Sequence, residues 1–208
     1  MSDLNRFNIV TDQGNKTAAV FEQLFPSFFE VKYDKPSEYV RIYWKRYQDW
    51  NEDQGQVNAN HNLNGKIFEY ILSTLFIREG ILPLYMGVKV AFVPNVEYDF
   101  MLYTAEKGPI CLSAKTSLRE RYKQADLEAI VLKNVHRKSL SFLLTLEEKE
   151  AKNLKKKVES GDIIGLNDVI VATQPEFDEF IAFLKKLKLL EPPTVKTIES
   201  TRIVTNKK

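Results

Sequence analysis

Cysteine is nearly missing from this chain. Cys111 is the only one in 208 residues, and there are only two histidines, His61 and His136. No disulfide can form within the chain, and the usual Cys/His zinc ligand sets cannot be supplied. Histidine-based catalytic triads are equally short of parts. Glycine and proline are sparse, eight of each, which excludes a linker-rich or fibrous chain. Neither sign of charge prevails: 30 Lys and Arg against 28 Asp and Glu leave +2. That excludes a histone-like basic tail and an acidic disordered chain. No apolar run reaches the length of a membrane span, and the opening MSDLNRFNIV has none of signal-peptide length. With cysteine so scarce, the expectation is a reducing, cytoplasmic compartment and no membrane partner.

Familiar motifs are absent too. There is no G-x-S-x-G elbow and no H-E-x-x-H. Gly65-Lys66 is not a phosphate loop, because Asn60 stands where the first glycine belongs. Any catalysis therefore rests on carboxylates, lysines and a metal.

What is present reads as an ordinary globular chain, 44% apolar and 28% charged, with no internal repeat. Residues 1–60 read as a helical, aromatic-rich front segment, and residues 61–208 as the main core. From Pro36 to Trp50, Tyr39, Ile42, Tyr43, Tyr47 and Trp50 recur at helical spacing. The polar run NEDQGQVNANHN reads as a loop. Leu63 to Arg78 returns to a helical pattern, with Gly80 placed to end it. Three strand-like runs follow: 87–93, 96–103 and 109–114, the last two joined by the turn EKG as a hairpin. A helix is expected over 118–135, opened by a capping box of Ser117 and Glu120. Strands at 141–146 and 168–172 alternate with helices at 147–159 and from Pro175, and the tail after Pro192 reads as loose. This order predicts an α/β fold, a mixed central β-sheet flanked by helices with a helical N-terminal segment.

One constellation carries chemistry. Asp99 lies on the second strand of the hairpin, and Ser113-Ala114-Lys115 ends the third. Alternation sends Glu97 and Asp99 to one face with Tyr98 opposite, and Ser113 and Lys115 to one face with Ala114 opposite. Pairing of the two strands brings a carboxylate and a lysine to one end of the sheet. A carboxylate with backbone carbonyls and water is a ligand set that Mg²⁺ accepts. A lysine beside it can position a water or stabilise charge on a phosphate.

Asp99 followed by Ser113-Ala114-Lys115 resembles the PD-(D/E)XK nuclease superfamily. The continuation KTSLRERYKQADLEA resembles its type II restriction endonucleases, and Glu69 in NGKIFEYIL matches the glutamate that many of them carry on a preceding helix. The resemblance covers roughly residues 60–185 and implies a restriction-endonuclease-like fold. It also implies Mg²⁺-dependent hydrolysis of double-stranded DNA at a short specific sequence. By this resemblance Asp99 is the metal-bridging carboxylate, the Ala114 carbonyl a further ligand, and Lys115 the residue that orients or helps deprotonate the attacking water. Tyr98 replaces the proline of the motif. Ser113 stands where an acid is expected, as in members that bring a carboxylate from a neighbouring helix. Glu69 ranks first for that role, then Glu128, then Glu97. A homodimer and a cognate DNA methyltransferase in the host are further implications.

The charge pattern agrees with a nucleic-acid partner. Between Lys115 and Lys157, twelve Lys and Arg face six Asp and Glu, a local excess of cations that favours phosphate contact. Arg119, Arg121, Lys123 and Gln124, with Thr116 and Ser117, are residue types that contact phosphates and base edges. Arg41, Lys45 and Arg46 interleave with Tyr43, Trp44 and Tyr47, a pattern that suits base stacking. The same aromatic series suits core or dimer packing, and the run KEAKNLKKK suits a solvated helix face. Two alternatives stay open at this point: a structure-specific repair nuclease, and an inactive nuclease-fold DNA-binding module, which Ser113 keeps in view.

Overall fold

The computed structural model describes residues 3–12, 14–55 and 61–194. A five-stranded sheet runs in the order β1 (Tyr85–Val88), β2 (Tyr98–Thr104), β3 (Gly108–Lys115), β4 (Leu140–Thr145) and β5 (Asp168–Val171). The first three strands are antiparallel neighbours, and β3, β4 and β5 are parallel. Parallel pairing needs a crossover. α5 (Arg121–Val135) supplies it between β3 and β4, and α6 (Glu148–Ser160) between β4 and β5. The remaining helices are α1 (Asp3–Arg6), α2 (Lys16–Leu24), α3 (Pro36–Asp53), α4 (His61–Arg78) and α7 (Pro175–Lys186). The expected class, a mixed sheet flanked by helices behind a helical front segment, is the observed one.

Strand alternation divides the interior into layers. Phe100, Leu102, Ile110, Leu112, Phe142, Leu144 and Ile170 join the core that α2, α3, α4 and α7 cover. Leu143, Val169 and Val171 pack with Ala125 and Ala129 of α5 and Ala151 and Leu154 of α6. Met101 and Cys111 pack with Leu132 of α5, together with Tyr98 at the start of β2. α4 passes close to the sheet with Ile67, Phe68, Ile71, Leu72, Leu75 and Phe76 buried. It ends at Arg78, and Gly80 follows at a φ of +69°, in the left-handed region that favours glycine.

Tyr39, Tyr43 and Tyr47 are buried, and Tyr43 stacks on Tyr39 and on Phe25 at 4.2 and 3.9 Å between ring centroids. The tyrosine series of α3 is thus core packing. Its cations are exposed: Arg41 donates to the Thr173 carbonyl, Lys45 pairs with Asp49 one turn on, and Arg46 lies over the Phe25 ring.

The structure corrects three local expectations. The strand expected over 87–93 lies earlier, over Tyr85–Val88; the chain then leaves the ladder and turns at Phe92, which takes a positive φ. The loop expected at 51–62 is shorter, since α3 continues to Asp53 and α4 begins at His61; residues 56–60, like the tail from 195, lie outside the described residues. The capping box does not form. α5 starts at Arg121 with Glu120 at the N-cap, in helical geometry and without a side-chain cap bond. Glu120 pairs with Lys123 instead, and a carboxylate from α6, Glu150, accepts the Arg119 N–H at 2.8 Å. A long-range partner has replaced the local one, and Arg119 is held at a φ of +24°.

Candidate active site

The β2–β3 register pairs Phe100 with Leu112 and Met101 with Cys111. Continuing it one step sets Asp99 across from Ser113, at the end of the sheet where β3 leaves for α5. Asp99 Oδ2 accepts two hydrogen bonds there, from the Ala114 N–H at 2.7 Å and from Lys115 Nζ at 2.9 Å. The Asp99 and Lys115 side chains are each 21% exposed, so the pair is sheltered yet reachable. Ser113 itself is buried at 7% exposure, and no carboxylate stands at its position.

Two helices bring acids to this point. Glu69 projects from α4, and burial pushes its carboxyl above the usual range. The Lys66 ammonium, bonded to it at 2.7 Å, opposes that shift, while the charge of Asp99 adds to it. Glu128 projects from α5 and is pushed up by burial as well. A hydrogen bond from Gln124 Nε2 at 2.8 Å and the charge of Lys115 oppose that shift, and Asp99 adds to it. Asp99 and Lys115 therefore act electrostatically on both glutamates, one on each flanking helix. The third candidate, Glu97, is 59% exposed and faces Lys89 at 3.8 Å.

A hollow of about 470 Å³ opens in front of Asp99, with Lys66, Glu69, Tyr70, Met86, Glu97 and Tyr98 in its lining. Its outer wall is the front segment, Asn8 to Asp12 and Asn15. Tyr98 donates its hydroxyl to the Glu128 carbonyl at 3.0 Å and so ties β2 to α5. Mg²⁺ uses one or two carboxylates and completes its octahedron with water and phosphate oxygens. Asp99 with Glu69, or Asp99 with Glu128, offers donors of that kind, and the residues fit the ion. Among the described residues no three His, Cys, Asp or Glu side chains are grouped to hold a metal by themselves. Water, a carbonyl or substrate would complete the shell.

The residues expected to contact DNA divide. Thr116, Ser117 and Arg119 line a second, larger hollow beside the site. Arg121 and Lys123 are exposed at the start of α5, Lys123 in its pair with Glu120. Gln124 is bonded to Glu128 and so also serves the acid cluster. Sequence reasoning missed Lys66, one turn before Glu69, although the three-residue helical spacing was available to find it.

No protein-family model matches the chain, and no curated protein matches it. One solved structure, described as a complex of the restriction endonuclease PspGI with substrate DNA, is similar in fold with a TM-score of 0.60. It is 16% identical, and the match covers 85% of this chain and 92% of that one. The chain thus shares the restriction-endonuclease-like fold.

Proposed function

We propose that this chain is a Mg²⁺-dependent type II restriction endonuclease, hydrolysing phosphodiester bonds of double-stranded DNA at a short specific sequence. The observation that carries the reading is the Asp99–Ala114–Lys115 contact at the sheet end, acting on Glu69 from α4 and Glu128 from α5. Fold analogy adds weight, because PspGI is a restriction endonuclease of the same architecture.

In this reading Asp99 would hold the metal, with Glu69 first and Glu128 second in line to replace the acid missing at Ser113, and the Ala114 carbonyl as a further ligand. Bound Mg²⁺ lowers the pKa of water and offsets charge on the scissile phosphate. Lys115 keeps a compact positive charge beside Asp99, orients the attacking water and assists its deprotonation. Gln124 and Lys66 hold the two glutamates in place. Arg119, Arg121 and Lys123, with Thr116 and Ser117, meet the DNA strand that passes the site. One chain holds one site, so cutting both strands calls for a homodimer whose two-fold axis matches that of the DNA. A DNA methyltransferase in the host would protect its own DNA.

The test is a digest of unmethylated duplex DNA with Mg²⁺, beside EDTA and Lys115→Ala controls. Discrete fragments that vanish in both controls are expected. DNA bound but uncut with Mg²⁺ or Mn²⁺ would overturn the proposal and leave a binding module.

A further inference from the structure

The larger hollow is next to the catalytic lysine but separate from the acid cluster. It holds about 810 Å³ between α3, the start of α4, the segment after Lys115 and the start of α6. One wall is a single helical face: Tyr47, Gln48 and Asn51 lie three, four and seven residues beyond Trp44 along α3. Asn64 of α4 continues that wall. The opposite wall is Thr116, Ser117 and Arg119 with Leu146, Glu147 and Glu150.

The charge of this lining decides what it can take. Glu52, Glu147 and Glu150 face it beside one guanidinium, that of Arg119. A phosphate track would meet repulsion from three carboxylates. An apolar ligand would take the carboxamides of Gln48, Asn51 and Asn64 out of water without offering them a hydrogen bond. What the lining suits is a neutral surface that presents both donors and acceptors, and the groove edge of base pairs is such a surface. Carboxamides match the donor–acceptor pair of adenine, and a carboxylate matches the amino group of cytosine. Some of the polar groups are already set in place. Asn64 Oδ1 accepts from the Tyr47 hydroxyl at 2.6 Å, which turns the two N–H donors of its amide away from that bond. Glu147 is the N-cap residue of α6, yet its carboxylate makes no cap bond. From Trp44 to Asn51 the helix rises about 10 Å, roughly three base-pair steps.

We propose that this hollow reads base edges, with Gln48, Asn51, Asn64 and Glu147 as specificity-determining residues. The assignment rests on the nuclease reading above and adds to it where the sequence is read. Because Thr116 follows Lys115 directly in the chain, a base pair held here lies beside the phosphate that is cut.

The test is selection from random duplexes by the full-length protein in Ca²⁺, with cleavage of the same pool followed in Mg²⁺. Wild type is compared with Gln48→Ala, Asn51→Ala, Asn64→Ala and Glu147→Gln. The expected result is that wild type enriches one sequence and each variant relaxes its preference at one position about tenfold, leaving the others. Gln48 is exposed, so its variant decides the matter if Asn64→Ala, which frees Tyr47, fails to fold. Identical preferences for wild type and every folded variant would overturn the assignment. Cleavage without any sequence preference would overturn it too and leave the nuclease reading standing. Enrichment that the variants relax, with no cleavage, would sink the nuclease reading and keep the assignment.

Discussion

Asp99 and Lys115 meet through one oxygen. Asp99 Oδ2 accepts from Lys115 Nζ at 2.9 Å and from the backbone N–H of the neighbouring Ala114 at 2.7 Å. A side chain on β2 is thereby locked to the backbone of β3, and the lysine is held at the carboxylate. Asp99→Asn and Lys115→Ala are each expected to lower cleavage about 100-fold or more, the loss typical of one preorganised electrostatic partner. The exposed part of the pair limits the stability cost to about 1 kcal/mol. Single-turnover cleavage and thermal unfolding read the two effects separately.

Glu69 and Glu128 are expected to differ in what their loss removes. Glu69→Gln should weaken Mg²⁺ binding, because Glu69 and Asp99 share the lining of one hollow. Glu128→Gln should also release Gln124 from its charged partner, so Gln124→Ala should reproduce part of its loss of cleavage. Calorimetric Mg²⁺ titration of the three variants checks this. Unchanged metal affinity in both glutamate variants would remove the carboxylates from the ion's shell.

Burial raises both glutamates, so in the proposed nuclease protons would compete with metal above the ordinary carboxylate range. Cleavage is expected to rise with pH on an acid limb that lies above pH 4.5, the ordinary value. Stability moves the other way. A carboxyl with a raised folded-state pKa binds more protons folded than unfolded, so stability falls as pH rises from the unfolded value through the folded one. Glu69→Gln should therefore gain thermal stability over wild type at pH 8, and the gain should shrink on acidification. Melting curves across that range decide it.

Gly165 sits against α5 with no room for a side chain. A Cβ there would lie 2.3 Å from the Asp126 carbonyl oxygen and 2.8 Å from the Ile130 nitrogen, both backbone atoms. The Asp126 side chain also accepts the Gly165 and Leu166 N–H groups. Gly165→Ala is expected to destabilise by about 1–3 kcal/mol. Because α5 carries Glu128, cleavage should fall beyond the loss of folded protein. Denaturant unfolding and the activity of the folded fraction test both parts.

Cys111 lies buried in β3, and burial pushes its thiol well above the ordinary range. A thiol reagent should leave it untouched in the native state and label one group per chain in denaturant. Labelling of native protein as fast as unfolded would contradict this burial.

Much of the fold was legible because its signals are local. The helical spacing of Tyr39, Tyr43 and Tyr47, the glycine after α4 and the apolar runs of β4 and β5 each depend on neighbours in sequence. The hairpin that joins Asp99 to Lys115 was legible for the same reason: a short turn fixes which residues pair. Where the sequence misled, a distant partner had intervened. Ser117 and Glu120 have the spacing of a capping box, but Glu150 of α6 takes the Arg119 N–H and the helix starts later. The run after Gly87 alternates like a strand, yet it finds a ladder partner only as far as Val88 and then turns at Phe92, at a positive φ.

Sequence by itself determined the pieces: a chain without disulfide or Cys/His zinc chemistry, the order of helices and strands, and the Asp-Ser-Ala-Lys pattern at a strand end. Tertiary structure alone decided which acids join that pattern. Glu69 and Glu128 are 59 residues apart in sequence, and no periodicity relates them. They come under the influence of one aspartate because α4 and α5 pack on the central sheet. The same is true of the second hollow, whose walls come from α3, α4, the segment after β3 and α6. Periodicity assigns a residue to a face of its own element. Only packing of one element on another decides what that face meets.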